Sequence, residues 1–398
     1  MIDRASDEFE LFITEEEQLD NEVKIMEDAS TFVPGITTKN LRLEGIPSPI
    51  EASEFARTHG LDAALTYDNV CEGTTGTKLV VSTPAGKCWN VSGIARGTLY
   101  NAAKLNGPAL GRMDQAALAM VLNAGLNVAN GYSMLLERHG KIMSFHGDGS
   151  NGYAIMPISE LLEVARRELT KKFGTIVFKS GYTSNFLTEA VWELPDVQSD
   201  ICDKYQQALA SAATNLHAIN FMPCVRFTSS DTSDSAAKLC PMLMLGNGAM
   251  MSLGSPVAVK HVRSGEIFGV ELFEQRAGEV FAKLDETVER MRLMGECELF
   301  NPVNACVGFI NAVNKTNVIR RKYADTAREE IETALIMNPI MSVHDVYLFI
   351  TETIMGLAEA NHEPMQQQLK MSEALSRIVS LNWKDFDIGG TVAWSAGN

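Results

Sequence analysis

The spacing of apolar residues in the middle of the chain predicts a helix, three short strands and a second helix. The segment "MDQAALAMVLNAGLNVAN", which starts at Met113, is apolar at helical spacing and predicts a buried helix. The segments "YSMLLERH" and "IMSFH" predict two strands, because Ile142, Ser144 and His146 would share one face of the second strand and Met143 and Phe145 the other. The glycines of "GDGSNG" predict a turn before a third strand, "YAIMP". The next helix, "PISELLEVARRELTKKFG", opens with proline and closes with lysines before Gly174.

Similar patterns divide the rest of the chain into hairpins followed by helices. Two hairpins are predicted around "TPAG" and "SGYTSN", and apolar segments predict strands in "HAINFMPCVRFTSS", "LCPMLMLGN" and "PVAVKHV". From Gly269 the pattern is helical. One long amphipathic helix, "GVELFEQRAGEVFAKLDETVERMRLMG", precedes helices near 302–315, 322–336, 343–360 and 365–380. We therefore predict an α+β fold in which antiparallel strand hairpins pack with helices, with a mostly helical C-terminal third.

Acidic residues are concentrated at the N-terminus. Residues 1–31 contain eleven acidic and two basic side chains, a net charge of −9 within a total of −16 for the chain. Such a segment is typical of a solvated arm or docking tail, because dense like charge opposes burial. We predict three regions: an acidic N-terminal arm (1–31), an α+β core (32–265) and a helical C-terminal region (266–398).

Several features favour a cytoplasmic protein. The acidic N-terminus lacks the apolar stretch of a secretory signal peptide, and no run of about 18 apolar residues could span a membrane. The seven cysteines are scattered, without any C-x-x-C, and are expected to be reduced thiols. We expect no membrane partner.

The loop "HGDGSNG" raises the question of a metal or phosphate site. His146, Asp148 and Asn151 carry suitable donor atoms, but their spacing matches neither a zinc motif nor a calcium loop. The glycines of "GTTGTK" (73–78) resemble a phosphate-binding loop without its spacing. We therefore predict no metal, no cofactor and no catalytic residues. An enzyme that uses His146, Asp148 and His261 is the least favoured alternative.

A set of basic residues favours phosphate binding, although the chain as a whole is acidic. Several lie on the predicted helix after the three strands, and others lie on the preceding hairpin or follow the strand in "PVAVKHV". The alternative is that they are ordinary surface cations and helix caps. Aromatic residues on the same strands, among them Tyr132 and Tyr153, could stack on bases or fill a core. The predicted nucleic-acid contacts are Arg138, Lys141, Arg166, Arg167, Lys171, Lys172, Lys260, His261 and Arg263.

Four segments taken together resemble the domain of unknown function 932 family, over about residues 110–380. They are "MLLERHGKIMSFHGDGSNGYAIMPISELLEVAR", "GYTSNFLTEAVWELP", "FTSSDTSDSAAKLCPMLML" and "VAVKHVRSG". The family pattern carries an arginine, a tyrosine before a proline-led helix, a serine-rich segment and a later histidine. The resemblance matches these to Arg138, Tyr153, Ser229, Ser230 and His261. The chain departs from the pattern in having "SSD" in place of "N-S-E" and in lacking an "R-x-V-C-x-N" motif.

The resemblance implies a phage- or plasmid-borne protein, because members of that family occur on such elements. The order of elements is also similar to the core of single-strand annealing proteins. We therefore predict a cytoplasmic protein that binds single-stranded nucleic acid as a homo-oligomer, with strand annealing as one form of that activity. The alternative is a phage structural or assembly protein without enzymatic activity.

Overall fold

The structure is a computed structural model that describes residues 3–45, 79–210, 221–245, 250–252, 256–337 and 339–395. The predicted mixture of strand hairpins and helices is confirmed. In chain order the strands are β1 (Glu10–Ile13), β2 (Ser30–Thr37), β3 (Arg42–Gly45), β4 (Leu79–Ser82), β5 (Cys88–Val91), β6 (Tyr132–Arg138), β7 (Lys141–Asp148), β8 (Val177–Ser184), β9 (Thr188–Glu193), β10 (Phe221–Ser229), β11 (Ala237–Leu245), β12 (Met250–Ser252), β13 (Val257–Val259), β14 (Glu298–Leu299) and β15 (Met341–Ser342). The α-helices are α1 (Glu16–Asp28), α2 (Arg96–Ala102), α3 (Gln115–Val128), α4 (Ile158–Phe173), α5 (Gln198–Ala210), α6 (Gly269–Ala277), α7 (Glu279–Glu296), α8 (Pro302–Val313), α9 (Arg321–Met337), α10 (Val343–Ala360) and α11 (Met365–Ser376).

Two large sheets organise the described residues, and β14 and β15 form a separate two-stranded sheet. The seven-stranded sheet has the order β1-β8-β9-β10-β11-β12, with β13 also paired to β11, and its pairings are antiparallel. The six-stranded sheet has the order β2-β6-β7-β5-β4-β3, in which β5 and β7 run parallel. The hairpin predicted at "TPAG" joins β4 to β5, and Gly86 adopts the positive φ of 78° in its turn. The glycine-rich segment 73–78 lies outside the described residues.

Each sheet has its own hydrophobic core. The larger core joins the seven-stranded sheet to α4 and the C-terminal helices, and it includes the fully buried Trp192, Phe273 and Tyr347. The second core lies between the six-stranded sheet and helices α2 and α3, around Leu99 and Leu122. The boundary predicted at residue 265 therefore runs through the larger core, because the C-terminal helices cover the seven-stranded sheet.

The acidic N-terminal segment is folded, so its interpretation as a solvated arm is wrong. Strand β1 pairs with β8 at the edge of the seven-stranded sheet. Helix α1 buries Leu19, Val23 and Met26 along one face. These residues are spaced as an amphipathic helix requires, and the high overall charge of the segment concealed that spacing.

Two other predictions are corrected. The segment "YAIMP" is not a strand, because Tyr153 makes only a single bridge, with Val262, and its N–H donates to Gly147 O over 2.8 Å in a tight turn. The long helix predicted after Gly269 is interrupted at Gly278, which separates α6 from α7. Glycine is a poor helix former, and an uninterrupted apolar pattern hid this break.

The remaining helices of the C-terminal third are confirmed. Helices α8, α9, α10 and α11 begin and end close to the predicted bounds, because their apolar spacing and end signals agree. At the start of α10, Ser342 and Asp345 form a reciprocal capping box. Among the described helices, none is both long enough and apolar enough to cross a membrane.

Candidate functional site

The candidate site is a group of buried polar side chains at the junction of the two sheets. We call it the polar cluster and define it as Arg138, His146, Tyr153, Asp231 and His261. The first two belong to β6 and β7, Asp231 and His261 follow β10 and β13, and Tyr153 lies in the loop before α4. Arg138, His146, Tyr153 and His261 are each no more than 6% exposed. Polar groups so deeply buried need partners within the protein.

An aromatic stack forms the centre of the polar cluster. The Tyr153 ring lies between the two imidazoles, with its centroid 3.7 Å from that of His146 and 5.3 Å from that of His261. Burial lowers the pKa of each histidine to about 4, and the nearby Asp231 only partly offsets this effect. Both imidazoles are therefore neutral at pH 7, so each offers one N–H donor and one acceptor nitrogen.

Serine hydroxyls contact one nitrogen of each imidazole. Ser233 Oγ lies 3.0 Å from His146 Nδ1, and Ser229 Oγ lies 3.3 Å from His261 Nε2. The other nitrogens, His146 Nε2 and His261 Nδ1, make no hydrogen bond of good geometry within the described residues. Each buried ring thus has one nitrogen whose hydrogen-bonding capacity is not met with good geometry among the described residues.

An ion pair between the buried Arg138 and the partly exposed Asp231 completes the polar cluster. Arg138 is bound to the Asp231 carboxylate, and its Nε donates to Ser30 Oγ over 2.8 Å. The Tyr153 hydroxyl donates to the backbone oxygen of Asp231 over 3.0 Å. These contacts fix the loop after β10 against the six-stranded sheet, since a buried arginine without its carboxylate would be strongly destabilising.

The five positions identified through the family resemblance lie at this junction. Arg138, Tyr153 and His261 belong to the polar cluster, and Ser229 contacts His261. Ser230 shapes the same loop, because its Oγ accepts hydrogen bonds from the backbone N–H groups of Thr232 and Asp234. Residues far apart in sequence are thus brought together.

Of the three residues named in the enzyme alternative, two belong to the polar cluster and the third has other partners. His146 and His261 flank Tyr153, but Asp148 is engaged elsewhere, where it accepts from Gly35 N over 2.8 Å and lies 3.6 Å from Arg263. Within the described ranges, no three or more His, Cys, Asp or Glu side chains are placed to hold a metal ion.

A cavity of about 180 Å³ lies beside the polar cluster, and His146 of the cluster is one of the residues that line it. We call it the Tyr132 cavity, after the exposed aromatic residue that lines it. Tyr132 is 56% exposed, and the other exposed side chains of the rim are Asn101, Lys104 and Asn130. The residues lining the cavity include no carboxylate. Since His146 is neutral, Lys104 gives the cavity its charge, which is positive.

The base of the Tyr132 cavity is buried and polar. Thr38 and Ser133 lie there beside His146, and their hydroxyl oxygens are 2.8 Å apart. Lys104 holds a positive φ of 57°, which is unusual for a residue other than glycine. Strained backbone of this kind is often found at binding sites. The cavity combines a cation, amide and hydroxyl groups and an aromatic ring, a set suited to an anion joined to a planar group.

The predicted phosphate contacts do not form one free basic surface. Three of them are buried: Arg138 and His261 in the polar cluster, and Lys141, which lies 3.7 Å from Asp7. Four others lie within 4 Å of a carboxylate, namely Arg166 with Asp20, Arg167 with Glu274, Lys171 with Glu168 and Arg263 with Asp148. Lys172 and Lys260 are exposed.

The sequence analysis identified Tyr132 and His146 but missed the rest of the cavity. Asn101, Lys104 and Asn130 lie at or just beyond the ends of α2 and α3, and no motif links them. The breaker run "NGPAL" after Lys104 indicates a loop, and that is the only sequence signal near this lysine. Its positive φ and its position beside β7 follow from tertiary packing.

Comparisons with models of known families, with curated proteins and with solved structures find no match for this chain. The resemblance to the domain of unknown function 932 family therefore stays a prediction, and the function has to be argued from the geometry of the polar cluster and the Tyr132 cavity.

Proposed function

We propose that this protein binds single-stranded nucleic acid at the Tyr132 cavity. One observation carries the proposal: a cavity that holds Lys104 and an exposed Tyr132, without any lining carboxylate, in a chain whose net charge is −16. Proteins that bind single strands combine cations for the phosphates with aromatic rings on which bases stack.

We expect each exposed side chain of the cavity to contact a different part of the nucleic-acid strand. A base stacks on the exposed Tyr132 ring, and the neighbouring phosphate lies beside Lys104. The amides of Asn101 and Asn130, which are also exposed, donate hydrogen bonds to that phosphate or to the base. A double helix would leave its bases stacked on one another, so this ring favours an unpaired strand.

The polar cluster lies against the buried base of the cavity and holds His146 in position there. His146 lines the cavity while its ring stacks on Tyr153, and Arg138 holds the Asp231 loop against the same sheet. The cluster therefore fixes the orientation of the imidazole at the base of the site. In this proposal Arg138 and His261 are structural supports, and phosphate contact moves from them to Lys104.

The proposal is tested by the anisotropy of a fluorescent oligothymidine strand at two salt concentrations. We expect wild-type binding to weaken steeply with salt, because phosphate contacts release counterions. Lys104→Glu should weaken binding at low salt and reduce the salt dependence by about one phosphate contact. Tyr132→Ala should cost about 1–3 kcal/mol of binding free energy, the usual value of one stacked base.

Lys171→Glu is the matched control, because Lys171 is 68% exposed and belongs to the basic set predicted from the sequence. It should leave binding nearly unchanged. Binding that Lys171→Glu abolishes and Lys104→Glu tolerates would move the contact to helix α4 and refute the cavity. Absence of wild-type binding at low salt would refute the nucleic-acid proposal as a whole.

Self-association, and with it the assembly-protein alternative, is favoured by an apolar patch. Phe300, Ile336, Met337 and Ile340 are each more than half exposed. Phe300 directly follows β14 and Ile340 directly precedes β15, so the register of this strand pair places them opposite each other. Ile336 and Met337 are the last two residues of helix α9. Exposed apolar groups in one region are typical of contact surfaces. A wild-type mass by light scattering above that of one chain would support the predicted homo-oligomer.

A further inference from the structure

A second cleft lies at the seven-stranded sheet, between strands β1, β9 and β10 and helices α10 and α11. Its volume is about 680 Å³, within the range of sites that bind small molecules. Its charged lining residues are Glu10, Glu189, Arg226, Glu352, Glu359 and Glu363, and His362 also lines it. We call it the acidic cleft, because five carboxylates outnumber a single guanidinium.

Glu189 is the residue that points to a ligand. This β9 side chain lines the cleft although it is only 4% exposed. Its Oε2 has no hydrogen-bond partner within the described residues. Burial raises the pKa of Glu189, and the charge of Arg226 opposes that effect. A buried carboxylate oxygen without a partner is costly, so a donor supplied from outside would be bound favourably.

Two of the other carboxylates already have partners inside the protein. Glu363 is bound by Arg320 over 2.5 Å, and Glu10 accepts a hydrogen bond from the Tyr182 hydroxyl over 3.3 Å. Glu352 lies near Glu330, and burial together with that charge raises the pKa of Glu352. The cleft therefore carries a net negative charge, which Arg226 offsets only in part beside Glu189.

The cation that fits is organic. Within the described residues no group of side chains has the arrangement of a metal site. The carboxylates alternate with apolar side chains, among them Phe12, which is 61% exposed, and Met355. Methylene groups pack favourably on such side chains, and an ammonium group is also attracted to an aromatic face.

We propose that the acidic cleft binds a small aliphatic polyamine. One ammonium group donates to Glu189 Oε2, a second lies near Glu352 or Glu359, and the methylene chain between them packs against Phe12 and Met355. This inference is independent of the proposed nucleic-acid site, because the two pockets share no lining residue.

The test is calorimetric titration of the full-length protein with spermidine, in the absence of nucleic acid. We expect binding of one spermidine per chain, and at least a tenfold loss of affinity in Glu189→Gln. The matched control is Glu160→Gln, which removes the same charge at an exposed position on α4 and should leave affinity unchanged.

A second variant protects the test against a folding defect at a buried position. Glu359→Gln lies on the exposed rim of the cleft and should weaken spermidine binding several-fold with an unchanged melting temperature. The proposal is overturned if wild-type protein does not bind spermidine, or if both cleft variants bind it as tightly as the Glu160→Gln control.

Discussion

His146 and His261, buried on either side of Tyr153, link the stability of the fold to pH. Their pKa values are lowered to about 4 in the folded protein, whereas an unfolded histidine titrates near 6.5. Between these values the unfolded chain binds more protons than the native one. The free energy of unfolding must therefore fall as the pH falls from about 6.5 to about 4, and level off for these groups below that range.

We predict that replacing both histidines by glutamine flattens this dependence. Each histidine contributes at most about 1.4 kcal/mol per pH unit within the window. Urea unfolding of wild-type and double-variant protein at pH 7 and pH 5 measures the difference. His344, whose pKa is lowered to about 3 by burial, adds the same trend to both proteins and cancels. The exposed His362→Gln serves as control, and an unchanged slope in the double variant would contradict the prediction.

Among the helices, the contact of α3 with the end of α2 depends on a glycine. A Cβ atom at Gly125 would lie 2.3 Å from the backbone oxygen of Ala103 and 3.0 Å from Leu105 Cδ1. We predict that Gly125→Ala lowers the free energy of unfolding by about 1–3 kcal/mol, because backbone on both sides must shift. Chemical denaturation measures this loss.

Gly97→Ala on α2 is the natural comparison. No heavy atom lies within 4 Å of the added Cβ, so alanine should be neutral or stabilise by up to about 1 kcal/mol through helix propensity. Equal effects of the two substitutions would show that packing between α2 and α3 is not the cause.

Elements with a strong local pattern were predicted well, and elements that depend on distant partners were not. Helix α4 shows its apolar stripe, its opening proline and its closing lysines within one segment, and it was predicted almost to its ends. The two-residue strands β14 and β15 were missed, because a pair so short has no period to detect. Tyr153 was placed in a strand, although its N–H donates to Gly147 O in a turn and the N–H of the next residue, Ala154, donates to His261 O, more than a hundred residues away.

The same limit applied to the candidate site. A sequence shows which residues are basic but not which carboxylates neutralise them. Arg138 was predicted to contact phosphates, and its partner Asp231 is 93 positions away along the chain. Three of the five cluster residues, Arg138, Tyr153 and His261, are also positions of the family resemblance, which itself stays a prediction.

On the scale of the whole molecule, the N-terminal segment is part of the larger core. Ile13, Leu19 and Val23 belong to the same hydrophobic cluster as Trp192. We predict that deleting residues 1–28 exposes the edge of β8 and the apolar face of α4, so that the truncated chain unfolds at lower temperature and aggregates. Thermal unfolding and size-exclusion chromatography measure both effects.

The control keeps the segment but removes charge. Glu8, Glu15 and Glu17 are exposed, so replacing all three by glutamine should leave the melting temperature almost unchanged. If the truncated protein instead had the same melting temperature as the wild type, the segment would contribute nothing to the stability of the fold.

The pairing of β1 with β8 also has a consequence for synthesis on the ribosome. Glu10 and Tyr182, which meet across this edge, are 172 positions apart, so at ordinary translation speeds roughly 10–30 s separate their appearance. The six-stranded sheet, by contrast, has all of its strands by Asp148. Until β8 has been synthesised, β1 has no strand to pair with and the apolar face of α1 has no surface to pack against. We expect the eleven acidic residues of 1–31 to keep the nascent chain soluble during this interval, because net charge opposes association.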